Sequence, residues 1–142
     1  MKRATALRYA GEITARLCRV NGLLATPLCG REAVKFKRVW IFGSTVKGSE
    51  APNDLDVLIE CMEVGRLRTW RQGRLDKRVL RAHGNRRAIN ARDEAYKWLS
   101  KGMKKVSRHS AAAEAGLDLG LMVMIYPRND LPKFLAAQHS LL

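Results

Sequence analysis

No stretch of the chain approaches the run of about 18–20 apolar residues that a bilayer-spanning helix requires, so a membrane span is not expected. The opening, Met1-Lys2-Arg3-Ala4-Thr5, is basic but leads into an interrupted pattern of helical period and not into the apolar core of a signal peptide. Cysteine is scarce: Cys18, Cys29 and Cys61 are odd in number, far apart and contain no Cys-x-x-Cys pair. That argues against a disulfide frame and against a structural zinc site, and the three are expected to sit reduced as small apolar residues. His83, His109 and His139 show no mutual spacing or carboxylate neighbour that suggests a triad or a metal site, and are read as surface residues. There is no internal repeat and no low-complexity linker. With 142 residues, 46% hydrophobic and 28% charged, the balance is that of one ordinary globular domain. A soluble, intracellular and cytoplasmic protein is expected.

Acidic residues are also few, 13 against 27 Lys and Arg, for a net charge of +14. A charge of this size makes a polyanion the default partner. Its distribution is lopsided: residues 65–109 hold 15 basic residues and three acidic ones, Asp76, Asp93 and Glu94, and so carry +12 of the +14. Unneutralised repulsion at this density disfavours compactness, and a partner that releases counterions on binding accounts for it better than a merely solvated face. RNA or DNA phosphate fits. Arg66, Arg68, Arg71, Arg74, Arg78 and Arg81 form the less regular half of the expected footprint, and Lys97, Lys101, Lys104 and Arg108 the more regular half. Trp70, Tyr96 and Trp98 are candidate stacking residues, although Trp98 has the spacing of a core residue.

Hydrophobic periodicity places the elements. Ala6, Ala10, Ile13, Leu17 and Val20 recur every three or four positions, one face of a helix, and Asn21-Gly22 reads as its stop. Residues 23–30, with Pro27 and Gly30, read as a connector, and 35–42 as a β-branched and aromatic strand. A turn broken by Gly48 and Pro52 leads to a second strand over 54–61, whose Val57-Leu58-Ile59 run suggests burial on both faces. Ala88, Ala91, Ala95, Trp98, Leu99, Met103 and Val106 fall on one side of a helix, opposite a basic ridge of Lys97, Lys101, Lys104 and Arg108. A third strand is expected over 116–126, closed by Pro127, and a short helix over 131–138.

The most specific feature is Ile41-Phe42-Gly43-Ser44 followed by Asp54-Leu55-Asp56-Val57. On a strand alternate side chains share a face, so Asp54 and Asp56 point one way while Leu55 and Val57 turn into a core. Two adjacent carboxylates repel unless a cation lies between them. Mg²⁺ is the natural choice, a hard ion that takes one or two carboxylates plus phosphate oxygens. A glycine turn beside it lets backbone N–H groups and a hydroxyl approach phosphates. The implied chemistry is metal-assisted transfer from a nucleoside triphosphate.

Phe42-Gly43-Ser44-Thr45-Val46-Lys47-Gly48 followed by Asn53-Asp54-Leu55-Asp56-Val57-Leu58-Ile59 resembles the signature of the polymerase-beta-type nucleotidyltransferase superfamily, and the length is similar to that of its minimal members. The resemblance implies a small α/β (α+β) domain over 1–142, with a mixed sheet of at least three strands flanked by helices, here carrying a basic helical insertion at about 64–109. It implies that Gly43 and Ser44 cradle the triphosphate and that Asp54 and Asp56 bridge two Mg²⁺ ions. A third carboxylate from a neighbouring strand is matched by Asp118, in Leu117-Asp118-Leu119. Small members carry an Arg just after Gly-Ser and a Ser before the first Asp, where this chain has Thr45 and Asn53; Lys47 is the candidate replacement for that Arg charge.

The resulting expectation is transfer of a nucleoside monophosphate to a hydroxyl, with nucleic acid as acceptor or docking partner. Two rivals stand beside it. One is a catalytically inactive module of the same fold that binds nucleic acid or builds a nucleoprotein particle, since fold does not fix function. The other is transfer to a protein or small-molecule hydroxyl, with the basic span facing an acidic protein.

Overall fold

The structure, a computed structural model, describes residues 1–26, 30–63, 91–111 and 120–140. Helix α1, Arg3–Arg19, forms where the apolar period predicts it. Ala6, Ala10, Ile13 and Leu17 are fully buried along one stripe. It stops at Asn21 and Gly22, both left-handed at φ 53° and 73°, where the Gly22 amide returns to the Leu17 carbonyl at 3.0 Å. A side chain at Gly22 would also meet the Tyr126 hydroxyl at 2.5 Å, so that turn is fixed by conformation and by space.

Strand β1, Leu23–Thr26, occupies part of the expected connector and pairs antiparallel with β2, Gly30–Phe42. Strand β2 is therefore longer than the expected 35–42, and it is the spine of the sheet. Along its other edge runs β3, Leu55–Glu63, antiparallel from Val34↔Glu63 to Phe42↔Asp56. A bulge between Phe36 and Arg38 leaves Lys37 as the extra residue. The bulge shifts the alternation by one, so Val34 and Phe36 before it and Val39 and Ile41 after it all face the same core. Leu55, Val57 and Ile59 of β3 share that face and are fully buried, and Leu58 on the opposite face is buried too, as the apolar run suggested.

Helix α2, Ala91–Leu99, buries Ala95, Tyr96 and Leu99. Here the chain departs from the expected long helix. It turns at Ser100–Gly102, with Gly102 at φ 82° and Lys105 at φ 60°, and re-enters the sheet as β4, Val106–Ser110, parallel to β3. The physical reason is tertiary. Strand β3 offers an open edge, and β-branched Val106 pairs with Leu55 there, while Arg16 of α1 takes the carbonyls of Trp98, Leu99 and Lys101 at 3.1, 3.1 and 2.8 Å. Those carbonyls would have accepted bonds from a continuing helix.

Strand β5, Met122–Tyr126, pairs antiparallel with β2 over Val39–Phe42. Of the strand expected over 116–126, residues 116–119 lie outside the described residues and 120–121 precede the strand. Since β3 occupies one edge of β2, β1 and β5 lie in tandem on the other, giving a mixed five-stranded sheet among the described residues. Helix α3, Leu131–Ser140, follows as expected, its first amide accepted by the Asn129 side chain at 3.2 Å. The three helices and this sheet make a mixed α+β arrangement. Helices α1 and α2 cover the buried face of the sheet. Among the described residues no helix is long and apolar enough to cross a membrane.

Candidate functional site

At the end of β2 the chain must reverse into the turn that leads to β3. Gly43 does this at φ 77°, and a side chain there would run into Asp56 Oδ2. Glycine is thus favoured by conformation, and any side chain there would displace the Asp56 carboxylate. After it, the amides of Lys47, Gly48 and Ser49 are taken by the carbonyls of Gly43, Thr45 and Ser44 at 3.1, 3.3 and 3.0 Å. The amides of Ser44 and Thr45 stand ahead of this ladder, as at the start of a helix.

The turn is anchored from below. Thr45 is fully buried and Val46 nearly so. Arg3 donates to the Thr45 carbonyl at 3.3 Å and to Gln138 at 3.0 Å, and Gln138 donates to the Val46 carbonyl at 3.2 Å. Position 45, where the resembled family carries Arg, is therefore buried in this chain. The Thr45 hydroxyl has no hydrogen-bond partner among the described residues. Lys47 is exposed on the turn.

Asp56, on the face of β3 opposite the core, and Asp54, the residue just before β3, lie near each other, both partly exposed. Burial pushes the Asp56 carboxyl above its ordinary range, the neighbouring Asp54 charge pushes it further, and His109 pulls the other way. Two carboxylates this close are an arrangement that a divalent cation would neutralise.

Two further side chains reach this pair from β4. Ser107 donates its hydroxyl to Asp54 Oδ2. His109 Nε2 faces Asp56 Oδ1 at 3.3 Å, and its ring meets Phe42 edge-on with centroids 5.1 Å apart. His109 is therefore not the surface residue expected, because the segment that carries it is a strand and not a continuation of the helix. The only local signal in Val106-Ser107-Arg108-His109-Ser110 is its β-branched first residue, since the four that follow are all polar and do not alternate.

The remaining expected residues divide. Asp118 lies outside the described residues, as do Arg66, Arg68, Arg71, Arg74, Arg78, Arg81 and Trp70. Lys97, Lys101, Lys104 and Arg108 are exposed but do not form one helical ridge: Lys97 is on α2, Lys101 and Lys104 in the connection, and Arg108 on β4. The Leu55 amide bonds to the Lys105 carbonyl at 2.9 Å, so this basic connection adjoins the start of β3, which Asp54 precedes. Tyr96 is buried, and Trp98 is partly buried against the core, its ring tilted relative to Phe36 with centroids 6.4 Å apart. Cys18 is exposed and free, and Cys61 is half-buried.

Among the described residues no group of three or more His, Cys, Asp or Glu is arranged to hold a metal ion. The two carboxylates nevertheless suit Mg²⁺, which keeps waters and phosphate oxygens as its other ligands and needs no all-protein cage. Compared with known proteins, the chain matches no family model, no curated protein and no solved structure.

Proposed function

We propose that the chain is a Mg²⁺-dependent nucleotidyltransferase with a nucleotidyltransferase-like fold, moving a nucleoside monophosphate from a nucleoside triphosphate to a hydroxyl, with nucleic acid as acceptor or docking partner. The observation that carries the reading is the approach of the Gly43 backbone to the Asp56 carboxylate, with Asp54 near it. A phosphate-sized anion seated on the Gly43-Ser44 turn would lie within reach of whatever cation the two carboxylates hold.

In this reading the Ser44 hydroxyl and the leading amides of the turn bind the β- and γ-phosphates, and exposed Lys47 adds charge. Asp54 and Asp56 would hold Mg²⁺, with Asp118 as the third carboxylate. When bound, the metal neutralises the triphosphate and makes the acceptor hydroxyl easier to deprotonate. The acceptor hydroxyl would give its proton to the third carboxylate, Asp118, as its oxygen attacks the α-phosphorus; the bond to the bridging oxygen breaks, and pyrophosphate leaves. Positioning and charge stabilisation account for most of the rate, as is general for such transfers. The basic excess of 65–109 favours a polyanionic partner.

Incubation with each labelled nucleoside triphosphate, Mg²⁺ and a pool of RNA or DNA tests the reading. Label on the nucleic acid, with pyrophosphate release that falls at least about 100-fold in Asp54→Asn and Asp56→Asn, is expected. The buried Thr45, at a position where the resembled family carries a cation, favours a second reading, a non-catalytic nucleic-acid-binding module. Salt-sensitive binding that survives both substitutions, without pyrophosphate release from any nucleotide, would establish it. Label on a co-purifying protein would instead identify a protein hydroxyl as acceptor.

A further inference from the structure

Ser107 and His109 sit on the strand beside the carboxylate pair, and neither belongs to the signature that points to the site. Parallel pairing registers Asp56 with Ser107 and Leu58 with His109. Alternate residues of β4 share a face, so both side chains stand on the side of the sheet that carries Asp56. Each reaches back by two residues along β3: Ser107 to Asp54 Oδ2 and His109 to Asp56 Oδ1. An ionised carboxylate only accepts, so the imidazole presents its Nε2 proton to Asp56. The Phe42 ring of β2, on the far side of β3, meets the imidazole in an edge contact.

We infer that Ser107 and His109 are positioning residues, which tether one oxygen of each carboxylate so that Asp54 Oδ1 and Asp56 Oδ2 are turned toward a shared divalent cation. The last torsion of an Asp side chain is broad and roughly two-fold. Two neighbouring anions left to themselves would rotate apart before the ion arrived. Hydrogen bonds from one rigid strand remove that freedom in advance, the role that outer partners play around ligating carboxylates. A purely structural role would tie these bonds to the stability of β4 and leave ion affinity alone. The inference rests on the proposed reading only for what the cation serves.

The test is titration of the full chain with Mn²⁺, following free Mn²⁺ by electron paramagnetic resonance, with melting temperature measured beside it. Asp54→Asn and Asp56→Asn should abolish binding. Ser107→Ala and His109→Asn should each weaken Mn²⁺ by about 10-fold or more, the usual cost of losing an outer partner. Ser107→Thr, which keeps the hydroxyl, and His109→Gln, which keeps a donor near the Nε2 position, should restore most of that affinity. His109→Asn keeps a polar group of similar shape but places its donor short of Asp56, so loss of affinity without loss of melting temperature isolates positioning from folding. Wild-type Mn²⁺ affinity in Ser107→Ala and His109→Asn, with binding still abolished in Asp54→Asn, would overturn the inference and leave the metal site standing. Binding in Asp54→Asn and Asp56→Asn equal to wild type, or none in any form, would overturn the metal site itself and the positioning role with it.

Discussion

Replacing Gly43 by Ala asks whether the glycine turn and the carboxylate are one device. The residue sits at φ 77°, and its new methyl group would occupy the place of Asp56 Oδ2. The backbone alone costs about 1–2 kcal/mol for an L-residue in the left-handed region. Pushing Asp56 off its rotamer adds about 0.5–1.5 kcal/mol, and breaking its hydrogen bond with His109 adds about 1 kcal/mol. The expected loss is about 2.5–4.5 kcal/mol, or roughly 5–18 °C in melting temperature at about 2–4 °C per kcal/mol. Gly48→Ala supplies the control. Gly48 is also left-handed, at φ 94°, but a side chain there meets open space, so only the backbone cost of about 1–2 kcal/mol applies. Urea denaturation measures both, and Mn²⁺ titration of the folded proteins measures the site. Gly43→Ala should lose ion affinity about 10-fold or more and Gly48→Ala should not. Equal destabilisation and equal affinity in the two variants would refute the claim that Gly43 is kept for its approach to Asp56.

The raised Asp56 carboxyl predicts a pH signature in the metal-free protein. An acid whose folded pKa lies above its unfolded value contributes stability that is full below the unfolded pKa and is lost as pH rises through the folded one. Asp56→Asn should therefore gain melting temperature relative to wild type as pH rises from the ordinary carboxylate range to neutrality, and a difference that shrinks over that range would contradict the assignment. Arg16 caps three carbonyls at the end of α2 and pairs with Glu12 at 3.2 Å; Arg16→Met should cost about 1.5–3 kcal/mol in urea unfolding. Reversing Lys101, Lys104 and Arg108 together to Glu should weaken RNA or DNA binding and flatten the dependence of log affinity on log salt by about 0.7–0.9 for each phosphate that is no longer neutralised. An unchanged slope would remove these residues from the interface.

Much of the fold is legible where one local rule decides the outcome. Helix α1 follows from its apolar period and its Asn21-Gly22 stop, and the motif strands follow from β-branched and aromatic runs that end at a turn. Strand β1 is hidden because Pro27 and Gly30 mark a connector, while pairing with Val34 and Lys35 is a long-range event that no local signal reports. The larger departure is β4. Residues 91–106 carry a helical period, but Gly102 and Lys105 adopt left-handed conformations and Arg16 claims the helix-end carbonyls. The free edge of β3 then takes Val106–Ser110 as a strand. That one change conceals half of the carboxylate surroundings, since Ser107 and His109 meet Asp54 and Asp56 only in the strand register. The bulge at Lys37 is equally invisible to local rules, although it is what lets Phe36 and Val39 share one core.

The most direct test of the central claim is a crystal grown with Mn²⁺ and a non-hydrolysable nucleoside triphosphate. The account predicts anomalous density at bonding distance from both Asp54 and Asp56, with the triphosphate on the Gly43-Ser44 turn. Manganese bound elsewhere, or a triphosphate seated away from that turn, would contradict it.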